Sequence, residues 1–401
     1  MYDVVIVGAG PAGSTAAKFL AENGISVLII EKRRFPRDKP CGGGLTIKVL
    51  EEFPYIQEQG LIDSYSYGGS VHSASLRYHV SVEKERPFLA TVLRSTFDYG
   101  LLRLAQQSGA TVFEGKKVTD VQMSPDHVSI ILSDETTIQS QVVIGADGVW
   151  SIVAQKTGLH SDSYRFGLSM VNEYELGSHV IDQLCTPQRR GHLFLKVGGI
   201  AGYGWVFPKK NHINLGIGVT NASRQTQNNK INLKNVYLQF FHLLQEQNII
   251  PADLDPGDIK GAALPSQPRK KTYAHRVLLC GDAAGLINPL TGEGIDYAMI
   301  SGKLAAEVIA QAVKQHTFSE RFLSEYQRRW KQRFGKDIDL LVRLSKRWGT
   351  QSENVIKYVS QDAKMSELLF DIATGNKSIN ALKWKLVRRY LLLRTKNIFS
   401  H

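Results

Sequence analysis

A run of four apolar residues, Val4 to Val7, ends on Gly8-Ala9-Gly10-Pro11-Ala12-Gly13, and this junction constrains the fold more than any other segment. Glycines at its first, third and sixth positions suit a strand that turns sharply into a helix whose first turn meets a phosphate. Gly8 permits the tight turn. Gly10 lets a pyrophosphate approach the backbone, and Gly13 lets the helix lie close on the sheet. Pro11 and Ala12 open that helix, whose bare N–H groups and dipole favour an anion. Ala12, Ala16, Phe19 and Leu20 share one helical side, and Val27 to Ile30 reads as a second strand buried on both faces. Glu31 ends that strand 18 residues after Gly13, with Lys32 beside it. A carboxylate there can accept both hydroxyls of an adenosine ribose. Strand, turn, helix, strand and acid in this order predict a dinucleotide site. The glutamate disfavours the 2′-phosphate of NADP and does not separate NAD from FAD.

The rest of the chain predicts an α/β fold. It comprises a parallel-sheet dinucleotide-binding domain of Rossmann type, an antiparallel-sheet substrate domain and a helical C-terminal region. Phe97 to Gln107 reads as a helix, and Val142-Val143-Ile144 and Val277-Leu278-Leu279-Cys280 as further buried strands. From about 166 to 263, alternating segments such as His192 to Val197, Gly204 to Phe207 and Ile213 to Val219 predict a mostly antiparallel sheet with one covered face. A long helix is predicted from about Gly292 to Gln315, and helices over 319–401. The expected boundaries give the dinucleotide-binding domain, read below as FAD-binding from a family resemblance, 1–72, 93–165 and 270–315, and the substrate domain 73–92 and 166–269. Residues 316–401 form the helical remainder. With 401 residues, 43% hydrophobic and 21% charged, the chain is not a disordered one. Three cysteines cannot form a disulfide scaffold. No run of about 18 uncharged apolar residues predicts a membrane span. No secretory signal is read at the N-terminus, so a reducing, cytoplasmic setting is expected.

Three more segments point to a flavin. Val143-Ile144-Gly145-Ala146-Asp147-Gly148-Val149-Trp150-Ser151 resembles the G-A-D-G-x-x-S segment of the p-hydroxybenzoate hydroxylase superfamily of FAD enzymes. Cys280-Gly281-Asp282-Ala283-Ala284-Gly285 resembles its G-D-A-A segment, and Arg94-Ser95-Thr96-Phe97-Asp98 its basic station. Asp282, just past a strand end, can accept a ribityl hydroxyl. Arg94 can neutralise pyrophosphate charge. Asp147 either serves the cofactor or organises its own turn. Pro289 shapes the turn before Thr291-Gly292-Glu293-Gly294, and Gly292, Gly294 and Ile295 open a helix whose N–H groups would stabilise the anionic edge of reduced flavin.

Two segments narrow the resemblance to the geranylgeranyl reductase family. Lys39-Pro40-Cys41-Gly42-Gly43-Gly44 resembles its cysteine–glycine segment. Tyr203-Gly204-Trp205-Val206-Phe207-Pro208, with Gly216 beyond, resembles its Y-x-W-x-F-P…G box, and Tyr326, Trp330 and Gly335 extend the match. The resemblance implies an enzyme that saturates carbon–carbon double bonds of geranylgeranyl or other isoprenoid chains, by hydride from N5 of reduced FAD plus a proton. It also implies that Cys41 and Gly42 lie beside the flavin. Tyr203, Trp205 and Phe207 alternate by two and share a strand face. They either pack an isoprenoid, with Pro208, or form core. The basic residues around Cys41 favour its thiolate, while an inert buried thiol is the alternative. Cys41 and Tyr203 are candidate proton donors, with Glu293 behind them. The electron donor is NAD(P)H or ferredoxin, and no metal is predicted. A flavin monooxygenase or halogenase of the same fold is the first rival. A flavin-free prenyl-lipid escort protein is the second, and the intact Gly8, Gly10, Gly13, Glu31, Asp147 and Asp282 argue against it.

Charge is concentrated at the end. Residues 311–401 carry 19 Lys+Arg against 8 Asp+Glu, within a formal net charge of +12 for the chain. Leu382, Leu386, Tyr390 and Leu393 lie near one helical face, with six basic residues in 380–399. This predicts an interfacial helix on an anionic membrane, peripheral at its inner face. A helix docked on its own domain is the alternative. No nucleic-acid reader module occurs, so the expected partners are a prenyl-lipid substrate and that membrane surface.

Overall fold

The computed structural model describes residues 1–160, 165–219, 232–345, 348–375 and 377–399. The chain folds as two compact units. The first comprises 1–39, 94–166 and 264–338; the second comprises 40–93, 167–263 and 339–401. Residues 40–72, expected with the first domain, pack in the second unit, because their strands pair there. Residues 316–338, expected in the helical remainder, pack in the first unit.

The first unit is built on a parallel sheet. Val277–Leu279, Thr137–Gly145, Tyr2–Val7, Val27–Glu31 and Thr111–Glu114 lie side by side in that order. Val4–Val7, Val27–Ile30, Val142–Ile144 and Val277–Leu279 are all buried, as continuous apolar runs require in a sheet covered on both faces. Val118–Met123 and Val128–Leu132 extend it as an antiparallel meander, and Tyr273–Ala274 closes the other edge. The glycine-turn helix Pro11–Glu22 packs on Ile295–Lys314 and on Arg94–Gln107. A Cβ on Gly302 would lie 2.3 Å from the Ala12 carbonyl oxygen, so these helices cross at backbone contact. The long helix starts at Ile295 rather than Gly292, since Gly292 has φ +69 and Gly294 is the N-cap. The other helix starts earlier than expected, with Arg94 in its first turn.

The second unit carries a seven-stranded sheet. Its order is Lys260–Pro265, Phe166–Glu175, His212–Val219, Gly202–Pro208, Gly191–Leu195, Gly68–His72 and His79–Glu83. Gly191–Leu195 pairs in parallel with Gly68–His72, so the sheet is mixed there. Both of its faces are covered, not one. On one face the helix Leu233–Glu246, capped by the Asn232 side chain, buries Val236, Tyr237, Phe240, Phe241 and Leu244 against Phe194, Val206 and Ile217. Each of these large side chains contributes roughly 1.5–3 kcal/mol. On the other face Ile356, Val359, Met365 and Phe370 from the C-terminal helices meet Val71, Val80, Val82 and Leu195. A small sheet of Gly44–Thr46, Leu89–Thr91 and Ser64–Ser66 completes the unit.

One half-buried histidine pair is expected to make the second unit acid-sensitive. His72 Nε2 and His192 Nδ1 are 3.1 Å apart, with both rings stacked on Phe194. Burial, followed by the neighbouring His79 charge, lowers His72 to about 4. Burial, followed by His72 and Arg190, lowers His192 to about 3. Unfolded histidines titrate near about 6.5, so below that pH the unfolded chain binds more protons than the folded one. The stability from keeping these rings neutral is present above pH 6.5 and is lost as pH falls towards 3. At pH 5 the unit is expected to be roughly 2–4 kcal/mol less stable than at pH 8. Urea denaturation at the two pH values, with His192→Phe flattening the difference, tests this.

Candidate functional site

In the first unit Gly8, Glu31, Asp147 and Asp282 lie at or just past the carboxyl ends of parallel strands, where open α/β sheets meet ligands, whereas Cys41 and Gly42, also expected at the cofactor, lie in the second unit. Gly13 has no room for a side chain, since a Cβ would lie 1.9 Å from the Gly8 carbonyl oxygen. Gly10 faces open space. A Cβ there would meet only Arg37 Nη2, at 3.9 Å. An open backbone at the start of a helix with a guanidinium at its rim fits a pyrophosphate. Glu31 is buried, and its Oε2 accepts the Ala9 N–H at 2.9 Å while Oε1 accepts that of Arg33 at 3.0 Å. The carboxylate therefore braces the glycine loop and keeps further acceptor capacity for hydroxyls. Lys32 beside it is exposed.

Arg37 and Asp98 were not singled out in the sequence. Asp98 is fully buried and takes Nε and Nη2 of Arg94 at 2.7 Å each, with Nη1 of Arg37 at 3.1 Å. Arg37 also stacks over Phe35, 4.6 Å from the ring centre. The Arg94–Asp98 spacing of four on a helix was the available signal. Asp282 lies in the turn Gly281–Ala284, with its Oδ1 toward Gly294 at the start of the long helix, 3.6 Å from where a Cβ on Gly294 would stand. Burial pushes its carboxyl up, and the Lys39 and Arg94 charges pull it back. Asp147 caps the short helix Ile152–Lys156, accepting from the Ile152 and Val153 N–H groups at 2.7 and 3.2 Å. Burial raises its pKa. The turn 288–294 is closed by the Asn288 side chain, which accepts from Leu290 and Thr291 N–H. It holds Pro289, Gly292, Glu293 and Gly294 just before Ile295. Glu293 is half-buried in this unit, and burial raises the Tyr297 phenol, with the Glu293 charge adding to it.

In the second unit the aromatic residues do share a face. Ring centres of Tyr203 and Trp205 are 5.8 Å apart, and those of Trp205 and Phe207 are 6.3 Å apart. Tyr203 also packs on the C-terminal helix cluster, so that end of the row is partly core. Trp205 pairs across strands with Gly216, where a Cβ would lie 2.0 Å from the indole. The missing side chain is what lets the ring lie flat on the sheet. Pro208 is buried at the strand end.

The loop 41–43 lies on this face. A Cβ on Gly42 would meet the Phe207 ring at 3.0 Å and Trp205 Nε1 at 3.2 Å. The Cys41 carbonyl accepts Asn214 Nδ2 at 3.1 Å, and Cys41 Sγ accepts the Gly43 N–H at 3.4 Å. Asn214 also accepts Trp205 Nε1 at 2.8 Å and donates to Glu173 Oε2 at 2.9 Å. Glu173 in turn holds Lys209, a fully buried lysine, at 2.6 Å. Glu173, Asn214 and Phe207 are directly opposed on three adjacent strands, which brings the network together. Sequence reasoning missed Glu173, Lys209 and Asn214. Lys209 follows the aromatic–proline box directly, but only strand register links it to Glu173. Cys41 is half-buried, whereas burial pushes the Cys185 and Cys280 thiols up to about 12 each. Cys41 is therefore the accessible thiol of the three.

Comparison with known proteins gives concordant matches. Residues 1–337 match the family described as FAD binding domain. The chain is 34% identical over 339 residues, 83% of each protein, to a digeranylgeranylglycerophospholipid reductase from Methanocaldococcus jannaschii. It is 32% identical over 321 residues to a menaquinone reductase from Mycobacterium tuberculosis, covering 77% of this chain and 76% of that one. A solved geranylgeranyl bacteriochlorophyll reductase-like protein from Thermoplasma acidophilum superposes with TM-score 0.81 at 24% identity, over 95% of this chain and 98% of that one. That likeness shows a shared fold.

Proposed function

The chain belongs to the FAD binding domain family and, within it, to the geranylgeranyl reductases, and from that premise we propose that it saturates carbon–carbon double bonds in the isoprenoid chain of a membrane lipid. The observation that carries the choice of substrate is the row Tyr203, Trp205 and Phe207 with the Cys41 loop laid on it. Flat apolar rings at two-residue spacing suit a long apolar run of isoprene units better than a compact polar substrate.

The residues present fit FAD. Gly8, Gly10 and Gly13 with the start of the helix Pro11–Glu22 would hold the pyrophosphate, with Arg37 and Arg94 supplying positive charge. Glu31 would take the adenosine ribose, and Asp282 the ribityl chain. The backbone of Gly292, Gly294 and Ile295 would face the pyrimidine edge. When bound and reduced by the electron donor, FAD would supply the hydride that an alkene accepts.

The chain's own tasks are to hold the alkene still, exclude water and deliver a proton. Cys41 is the proton donor on this reading. Its thiol is half-buried, and its backbone is pinned by Asn214 to Trp205 and Glu173. Tyr203 is the weaker candidate because its ring is packed on the helix cluster. Glu293 lies in the other unit and serves the turn before Ile295.

The test is anaerobic and independent of the natural electron donor, NAD(P)H or ferredoxin. Holoprotein reduced with dithionite is mixed with geranylgeranylated glycerophospholipid, menaquinone or geranylgeranyl diphosphate. The expected result is return of the oxidised flavin spectrum without oxygen, with two hydrogens gained per double bond in the product mass. A reduced protein that stays reduced with all three, until oxygen enters, sinks the reading in favour of an oxygenase.

A further inference from the structure

The C-terminal helix Ile379–Phe399 was expected to present Leu382, Leu386, Tyr390 and Leu393 to a membrane. The fold uses that side differently. Leu382 is buried, and Leu386 and Tyr390 pack on the helix cluster that covers the second sheet, with the Tyr390 ring against Tyr358 at 5.7 Å. Arg389 clamps the same side through two bonds to Asp362, at 2.7 and 2.8 Å. The Leu393 side chain lies outside the described residues. The alternative of a helix docked on its own domain therefore holds for this face.

Docking that face leaves a second apolar stripe outward. Trp384 is 73% exposed, Val387 47% and Leu391 53%. Their spacing of three and four puts them in one line, nearly opposite Leu382 and Leu386. Lys383, Lys385 and Arg388 are exposed beside them. Residues 379–399 contain no Asp or Glu. A monomer rarely leaves a tryptophan-led apolar line in water without use.

We propose that Trp384, Val387 and Leu391, with Lys383, Lys385 and Arg388 beside them, dock the chain on an anionic lipid surface. Tryptophan suits the headgroup level, with one apolar ring face and one N–H, and lysine and arginine stems can lie along apolar surface while their heads reach lipid phosphate. Charge decides the occupant. The helix is uniformly basic within a basic tail, so a second copy of the same helix is repelled while an acidic lipid surface is attracted. The inference stands on the tail alone and does not depend on the reductase reading.

The test uses the full holoprotein and needs no turnover. Flotation is measured with vesicles of phosphatidylcholine alone and with about one third phosphatidylglycerol added. Binding is expected on the anionic vesicles only, falling with salt. Replacing Trp384, Val387 and Leu391 together by serine is expected to weaken it about tenfold or more. Replacing Lys383, Lys385 and Arg388 by glutamine is expected to cost about fivefold per charge. All six side chains are exposed, so the urea midpoint serves as the folding control. Trp384→Phe is expected to remove the emission shift seen on vesicles. Anionic binding that the serine variant leaves intact overturns the proposal. So does a vesicle-free dimer that the serine variant dissolves, since a second copy would then own the stripe.

Discussion

Lys209→Met is expected to destabilise the second unit by about 3 kcal/mol. The Lys209 ammonium is fully buried and its carboxylate partner Glu173 is 2.6 Å away. Removing one member of a buried pair leaves the other charge uncompensated, which costs about 3–5 kcal/mol. Glu173 keeps 30% of its side-chain surface, so water relieves part of the penalty and the lower end applies. Lys209→Met combined with Glu173→Leu is expected to recover most of the loss, because an apolar pair of similar volume removes both desolvation costs. The double variant still loses the Glu173 bond to Asn214, and with it part of the hold on the Cys41 loop. The single and double variants are compared by urea denaturation. A single-variant change below about 1 kcal/mol would mean that the ammonium site is wet, contrary to its burial.

Cys41→Ala is expected to lower kcat by about 10²–10⁴, the range for loss of a positioned general acid. Flavin content is expected to be unchanged, because the dinucleotide cradle is built within the other unit. KM is expected to move only a few-fold, since the aromatic row remains. Asn214→Ala frees the Cys41 carbonyl and the Trp205 N–H together, and so is expected to lower kcat less and raise KM more. Single-turnover rates of prenyl substrate consumption, measured across pH, separate the two. A Cys41→Ala enzyme with full kcat moves the proton to Tyr203 or water, and Tyr203→Phe decides between them.

Much of the first unit was legible because its signals are local. The glycine turn, Glu31 and the apolar runs are short stretches whose backbone needs are written in residue type. Helix starts were less legible. The left-handed Gly292 delays the long helix to Ile295, and neither apolar spacing nor propensity reports that conformation. The second unit was legible as alternation, but not in its partners. The segment 40–93 lays the Cys41 loop on, and contributes Gly68–His72 and His79–Glu83 to, a sheet whose other five strands begin at Phe166 or later. Pairing across so long a separation has no signature in composition.

The sequence by itself determined what chemistry the chain can host. Gly8, Gly10, Gly13, Glu31, Asp147 and Asp282 lie in order, and Tyr203, Trp205 and Phe207 alternate by two, whatever the rest of the fold does. Tertiary structure alone decided which groups act together. Strand register opposes Glu173, Asn214 and Phe207, and loop placement sets Cys41 above Asn214. It also decided which side of the last helix meets water. Both sides are apolar enough to be buried, and the side that found the Ile356, Val359 and Phe370 cluster left Trp384 outside. A helical sequence specifies its faces, and only the surface it packs against selects the one that stays exposed.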